Sequence, residues 1–149
     1  MADTTTAFGS SDVELRLADD AGVLVDITGS TGKLSTNFSR KIGEFNVFGG
    51  DYPIRTAGKK DATFNVTGVA STGVDEFRDL IESWHFSDDN EPRAFEFDMP
   101  NSSPGSYTYS GMVFLKSFKF EPDAESEDPI MYEVEFIPSG AITRTVIAA

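Results

Sequence analysis

The sequence has no cysteine and a single histidine, His85, among its 149 residues. Without thiols there can be no disulfide, thiolate metal site or cysteine nucleophile. A histidine-based metal site or a histidine-paired nucleophile would rest on His85 alone. That residue falls where a helix is expected to end, a position that favours a cation for structural reasons. No apolar run approaches the roughly 20 residues of a membrane-spanning helix, and no signal-peptide pattern opens the chain. A soluble protein made in a cytosol, with no membrane binding, is the expectation. Basic residues are also scarce: 12 Lys and Arg stand against 25 Asp and Glu, for a net charge of −13. Specific nucleic-acid binding and anionic-membrane binding both want clustered Lys and Arg, so neither is expected.

What is present is phenylalanine, thirteen residues of it, in a chain that is 39% hydrophobic. Aromatic side chains bury large areas at low entropic cost. A chain of this length suits a single domain (residues 1–149) that buries roughly 70% of its unfolded surface. The charge is uneven. Residues 1–68 hold nine acids and seven bases (−2), and residues 69–149 hold sixteen acids and five bases (−11). A nearly neutral front and an acidic back allow copies of the chain to attract one another.

Residues 61–86 organise the rest. Ala62, Phe64 and Val66 alternate with Thr63, Asn65 and Thr67, a strand pattern. After Gly68–Gly73 the spacing predicts a helix over about 73–86, with Thr72 and Asp75 as a capping pair. Val74, Phe77, Ile81 and Trp84 form the apolar stripe that clamps the core, with Leu80 beside them. On both sides of this stretch lie short alternating runs separated by turn signals every 8–14 residues. Val13, Leu15 and Leu17 face inward in the first run, and Phe45 and Val47 are a candidate core edge in the third. Phe95 and Phe97 share one face. Residues 106–121 change inward phase from Tyr107 and Tyr109 to Met112 and Phe114, and then to Phe118 and Phe120. Gly111 marks the expected bend. Ile130, Tyr132, Val134 and Phe136 oppose Glu133 and Glu135. The predicted fold is mainly β: an antiparallel sandwich or partly rolled barrel of two packed sheets with one flanking helix. Residues 1–11, with Phe8, read as a flexible arm, and residues 142–149 as a terminal strand or tail. Gly29–Lys41 shows no clear pattern and reads as a long basic loop, a type that is often functional.

No catalytic constellation emerges. Asp88–Glu91 and Asp123–Asp128 contain calcium-type ligands but lack the loop spacing of a calcium hand. Gly29–Lys33 lacks the spacing of a phosphate-binding loop. Twenty-five acids allow many carboxylate pairs and single out none. The reading is of a non-enzyme with no cofactor and no metal, whose function lies in its surfaces. A non-catalytic binding module, carbohydrate-binding or adhesin-like, is the alternative, with Trp84 and the tyrosines as its platform.

Three features in order point further: a basic loop after the second strand, a strand ending Phe48-Gly49-Gly50-Asp51, and a strand, a helix and an acidic run of strands ending Glu135-Phe136-Ile137-Pro138-Ser139-Gly140. Across residues 12–143 this order resembles the major tail tube proteins of long-tailed bacteriophages, which are related in fold to the tubes of contractile tails and type VI secretion systems. The resemblance implies a structural virion protein. Homohexameric rings would stack into a hollow tube that phage DNA traverses without specific binding. It implies tape-measure, tail terminator and tail-tip partners, assembly in the host cytoplasm and a place in the virion tail. Some members of that family carry an added immunoglobulin-like domain, and none is expected within these 149 residues.

On this reading the loop joins successive rings through Lys33, Leu34, Phe38, Arg40 and Lys41. Its acidic partner would be Glu121–Asp128 or Asp88–Glu91. Thr63, Asn65, Glu133 and Glu135 leave the core on one face and would line an acidic, hydroxyl-rich lumen that repels phosphate.

Overall fold

Residues 12–148 are described by a computed structural model. Alternating apolar and polar residues build eight strands there: β1 (Glu14–Ala18), β2 (Leu24–Asp26), β3 (Thr31–Phe45), β4 (Ile54–Val69), β5 (Arg93–Met99), β6 (Tyr107–Phe120), β7 (Met131–Pro138) and β8 (Thr143–Val146). A 3-10 turn at Thr28–Ser30 precedes β3, and the helix α1 (Phe77–Phe86) links β4 to β5. Every pairing is antiparallel. The sheet runs β2-β1-β5-β6-β7-β4-β3, with β8 on β6, and does not close into a barrel. The mainly antiparallel, one-helix architecture is the one the sequence predicts. The expected arm with Phe8 lies outside the described residues.

The two layers arise because β6 serves both. Tyr107–Val113 pairs with β5, and Val113–Phe120 pairs with β7. A register shift between Leu115 and Ser117 leaves Lys116 out of the ladder, and such a bulge bends the strand and sharpens its twist. The layers then face each other through aromatic rings. Phe64 of β4 lies 5.5 Å from Phe95 and 5.8 Å from Phe97, and Phe95 lies 5.3 Å from Phe136. These rings, with Leu15, Leu17, Val66, Val113 and Tyr132, form the buried core.

Two expectations for β6 are corrected. Gly111 is no bend: it pairs regularly with Phe95 and is small because Ile142 packs over it, where an added Cβ would lie 2.4 Å from Ile142 Cδ1. Met112 and Phe114 are exposed while Val113 is fully buried. The odd-numbered phase of Tyr109 persists until the bulge at Lys116, beyond which Phe118 turns inward.

The helix is shorter than predicted. Asp75 takes a positive φ of 61°, and α1 starts at Phe77 with Glu76 as its cap. No side chain caps it locally. The Phe77 amide donates instead to Ser30 Oγ at 3.1 Å, so an otherwise unpaired helix amide is satisfied from the 3-10 turn. Phe77, Leu80, Ile81 and Trp84 are buried at helical spacing, and the Trp84 ring lies 6.1 Å from Phe136. Val74 does not belong to this clamp: it precedes the helix and is 83% exposed. The Tyr132 hydroxyl donates to Glu82 at 2.8 Å, which ties the helix to β7.

Candidate functional site

Gly29–Lys41 is not a loop. It comprises the end of the 3-10 turn and most of β3, which pairs with β4 from Thr31–Gly68 out to Phe45–Ile54. Leu34, Thr36 and Phe38 stand opposite the inward Val66, Phe64 and Ala62, while Lys33, Ser35 and Asn37 point to the other face. The alternation is weak because β3 is an edge strand that soon leaves the core. It follows that Lys33 and the pair Leu34 and Phe38 lie on opposite faces. Phe38 packs edge-on to Phe64 at 5.8 Å.

β7 covers β4 only over Phe64–Val69. Beyond it, residues 39–61 stand out as a two-stranded ribbon roughly 20 Å long, at about 3.3 Å per residue. From Ser35 to Asp61 every residue is exposed except half-buried Pro53. A bulge between Arg40 and Ile42 gives β4 an extra residue. Gly58 fits there, since a Cβ would press on Lys41 O at 3.0 Å. The strands connect over residues 46–53, with Gly49 at φ +82°. Phe48 is fully exposed, Tyr52 85% and Phe45 66%, so Phe45 and Val47 are not a core edge. Exposed apolar clusters of this kind mark interaction surfaces, and an isolated two-stranded ribbon is marginal in water. The ribbon carries Arg40, Lys41, Arg55, Lys59 and Lys60 against Glu44, Asp51 and Asp61.

The opposite end of the same sheet has the opposite character. β4 and β7 end together at Val69–Met131, and the turn joining β6 to β7 there holds Glu121, Asp123, Glu125, Glu127 and Asp128 with no base. Exposed Phe120, Ile130 and Met131 flank it. The other acidic run, Asp88–Glu91, lies beside the middle of the layer, where β5 starts at Arg93 opposite Val113. Asp89 is occupied by Arg93 at 3.7 Å.

Between the two ends lies the polar face. The register brings Asn65 beside Glu135 and Thr67 beside Glu133, with Thr63 further along the same face of β4. The row continues in both directions, as Lys33–Thr67–Glu133–Lys119 across four strands, and the face forms a shallow groove of about 460 Å³. Lys119 pairs with Glu133 at 3.2 Å and Lys116 with Glu135 at 3.6 Å. The hydrogen bond to Glu133 holds the Lys119 ammonium above its ordinary pKa. The expected acidic face is instead close to charge-balanced. The bulge at Lys116 and the turn of β6 deliver lysines that alternation alone did not assign to it.

Among the described residues two backbone edges of this layer are open: β3 pairs only with β4, and β6 beyond Val113 pairs only with β7. Trp84 is 5% exposed, which removes the main aromatic of a sugar-binding platform.

No family model and no curated protein matches the chain. Among solved structures, a subunit of the tail of an empty gene transfer agent particle, refined with C6 symmetry, superposes with a TM-score of 0.72 at 17% identity. The match covers 93% of this chain and 99% of that one. The fold is that of a tail tube. The SPP1 tail tube matches with a TM-score of 0.73 at 13% identity, over 96% of this chain and 81% of that one. A chain of the extended PVC sheath–tube complex, from an extracellular contractile injection system, matches at 0.70 and 14%, over 96% and 94%.

Proposed function

We propose that this chain is the repeating subunit of a phage-type tail tube, a structural component of a virion tail with no catalytic role. Copies close into six-membered rings, and rings stack head to tail into a hollow tube through which DNA passes. The observation that carries the reading is the opposition of the two ends. A basic, aromatic ribbon projects from one end of the layer, and an acidic turn with apolar shoulders closes the other. Unlike surfaces at opposite ends make a heterologous contact, which propagates as an open filament rather than a closed dimer.

Ring closure uses the sides. β3, β4, β7 and the second half of β6 alternate in direction, so an even number of strands lies between the two open edges. Rotation about an axis along the strands brings β3 of one copy antiparallel to β6 of the next, where their free amides and carbonyls can pair. Closure removes edges that otherwise invite uncontrolled association. The C6 symmetry of the similar gene transfer agent tail supports six copies. On this arrangement Thr63, Asn65, Glu133 and Glu135 face the lumen. A tape-measure protein fills the tube during assembly, and terminator and tip proteins cap its ends.

The resemblance assigns ring joining to Lys33, Leu34, Phe38, Arg40 and Lys41. Arg40 and Lys41, on the ribbon, keep that role, and the ribbon tip takes over from Leu34 and Phe38. Lys33 moves to the groove. The partner is the Glu121–Asp128 turn, which lies at the far end of the layer. One exposed ion pair contributes about 0–1 kcal/mol, but each junction repeats it around the ring and adds the aromatic tip. The double substitution Arg40→Glu with Lys41→Glu tests this. The variant should keep its β-rich circular dichroism and its melting temperature yet stop at rings or monomers. Tubes of ordinary length from this variant would refute ribbon-mediated stacking.

A further inference from the structure

The groove face presents a contradiction. The chain as a whole is strongly acidic, yet this face collects three lysines in a small area. Lys119 is held by Glu133 at 3.2 Å, with Glu121 at 3.8 Å on its other side. Lys116, placed outside the ladder by the bulge, reaches Glu135 at 3.6 Å. Lys33 completes the row across the sheet and has no carboxylate partner among the described residues. Two carboxylates in the middle of the row therefore stand between three cations. All four paired side chains keep substantial exposure, from 30% at Glu135 to 63% at Lys119, so the pairs are wet and any anion reaching the groove competes for the same lysines.

We propose that Glu133 and Glu135 act as guards of this face: they occupy Lys119 and Lys116 so that a nucleic-acid backbone can lie along the groove without being captured. The inference rests on the tube reading only for where the DNA comes from. The masking itself is a property of the single subunit. Its physical basis is counterion release. Each lysine that neutralises a phosphate frees a counterion from the DNA and so adds to affinity and to its salt dependence, whereas a lysine held by a carboxylate neutralises no phosphate and frees none. A plain acidic wall would repel DNA at a distance. A nearly balanced wall, with two of its three lysines paired, instead permits short, weak contacts, which suits a polymer that must slide.

The test removes the guards and leaves the lysines. Wild type, Glu133→Gln with Glu135→Gln, and a control with the same charge change in the exposed turn after α1, Asp88→Asn with Glu91→Gln, are titrated onto a fluorescent DNA duplex. Protein is kept below the concentration at which light scattering begins. The groove variant should bind about tenfold or more tightly than wild type at about 50 mM salt and lose that gain by about 200 mM, as counterion release requires. The turn control should match wild type. Lys119→Gln added to the groove variant should reverse much of the gain. If the groove variant and the turn control bind DNA alike, the guard assignment is wrong. Electron microscopy of the same preparations scores tube formation separately. Tubes without a groove effect reject the guards alone, and a groove effect without tubes rejects the tube reading alone.

Discussion

Arg16 donates both terminal nitrogens to the Asp98 carboxylate, at 2.9 and 3.0 Å, across the β1–β5 pair. Its Nε reaches Glu96 at 3.1 Å, and Thr108 Oγ1 donates to Asp98 at 2.7 Å. The Asp98 side chain is only 3% exposed. This fork lies on the face of β1 that alternation marks as outward, and it holds the second layer together from outside the aromatic core.

The fork makes stability depend on acid. Burial alone would raise the Asp98 carboxyl, but the hydrogen bonds from Arg16 and Thr108 and the Arg16 charge outweigh it and hold the group below its ordinary 3.8. A depressed carboxylate contributes stability that is fully present above 3.8 and is lost as pH falls through the lower folded value. Asp98→Asn should therefore cost about 2–3 kcal/mol at neutral pH, the scale of hydrogen bonds to a charged group. The cost should shrink in urea melts below pH 3.8. An equal deficit at pH 7 and at the acid end would show that the carboxylate charge is not what the fork uses.

Gly68 sets the seat of the helix. A Cβ there would lie 2.3 Å from the Phe77 ring and 2.9 Å from the Ser30 carbonyl. Gly68→Ala should destabilise by about 1–3 kcal/mol through overpacking, seen as a lowered melting temperature. A neutral outcome would mean that the helix does not press on β4 at this point.

Trp84 and Val74 separate the true clamp from the predicted one. Trp84→Ala should cost about 3–5 kcal/mol as a buried large-to-small change. Val74→Ala, on an exposed residue before the helix, should stay within about 0.5 kcal/mol. Denaturant midpoints of the two variants, side by side, decide the matter.

Where burial is one-sided the sequence states the fold clearly, and where it is not the pattern fades. β1, β5 and β7 alternate cleanly because the aromatic core lies on one side of each. The outer ribbon has no core on either side, so its first residues, up to Lys41, read as a loop, and Phe45 and Val47, though on a strand, read as the edge of an interior they never reach. The tip aromatics had one signal, the Phe48-Gly49-Gly50-Asp51 turn between two alternating runs. The Arg16–Asp98 fork had none, because the residues are 82 apart. Lys116 and Lys119 are hidden by the bulge at Lys116, which changes the face of everything after it on β6. Glu133 and Glu135 could be placed on the polar face from β7 alone, but their partners needed the register.

In the proposed tube the aromatic tip of the ribbon joins one ring of subunits to the next. Electron microscopy of the purified chain beside Phe48→Ser with Tyr52→Ser tests it most directly. Both side chains are exposed, so the variant should fold with an unchanged melting temperature. Wild type should give long hollow tubes with sixfold end views, and the variant isolated rings or monomers. Tubes of equal length from both proteins would contradict the account, as would a wild-type chain that stays monomeric at every concentration.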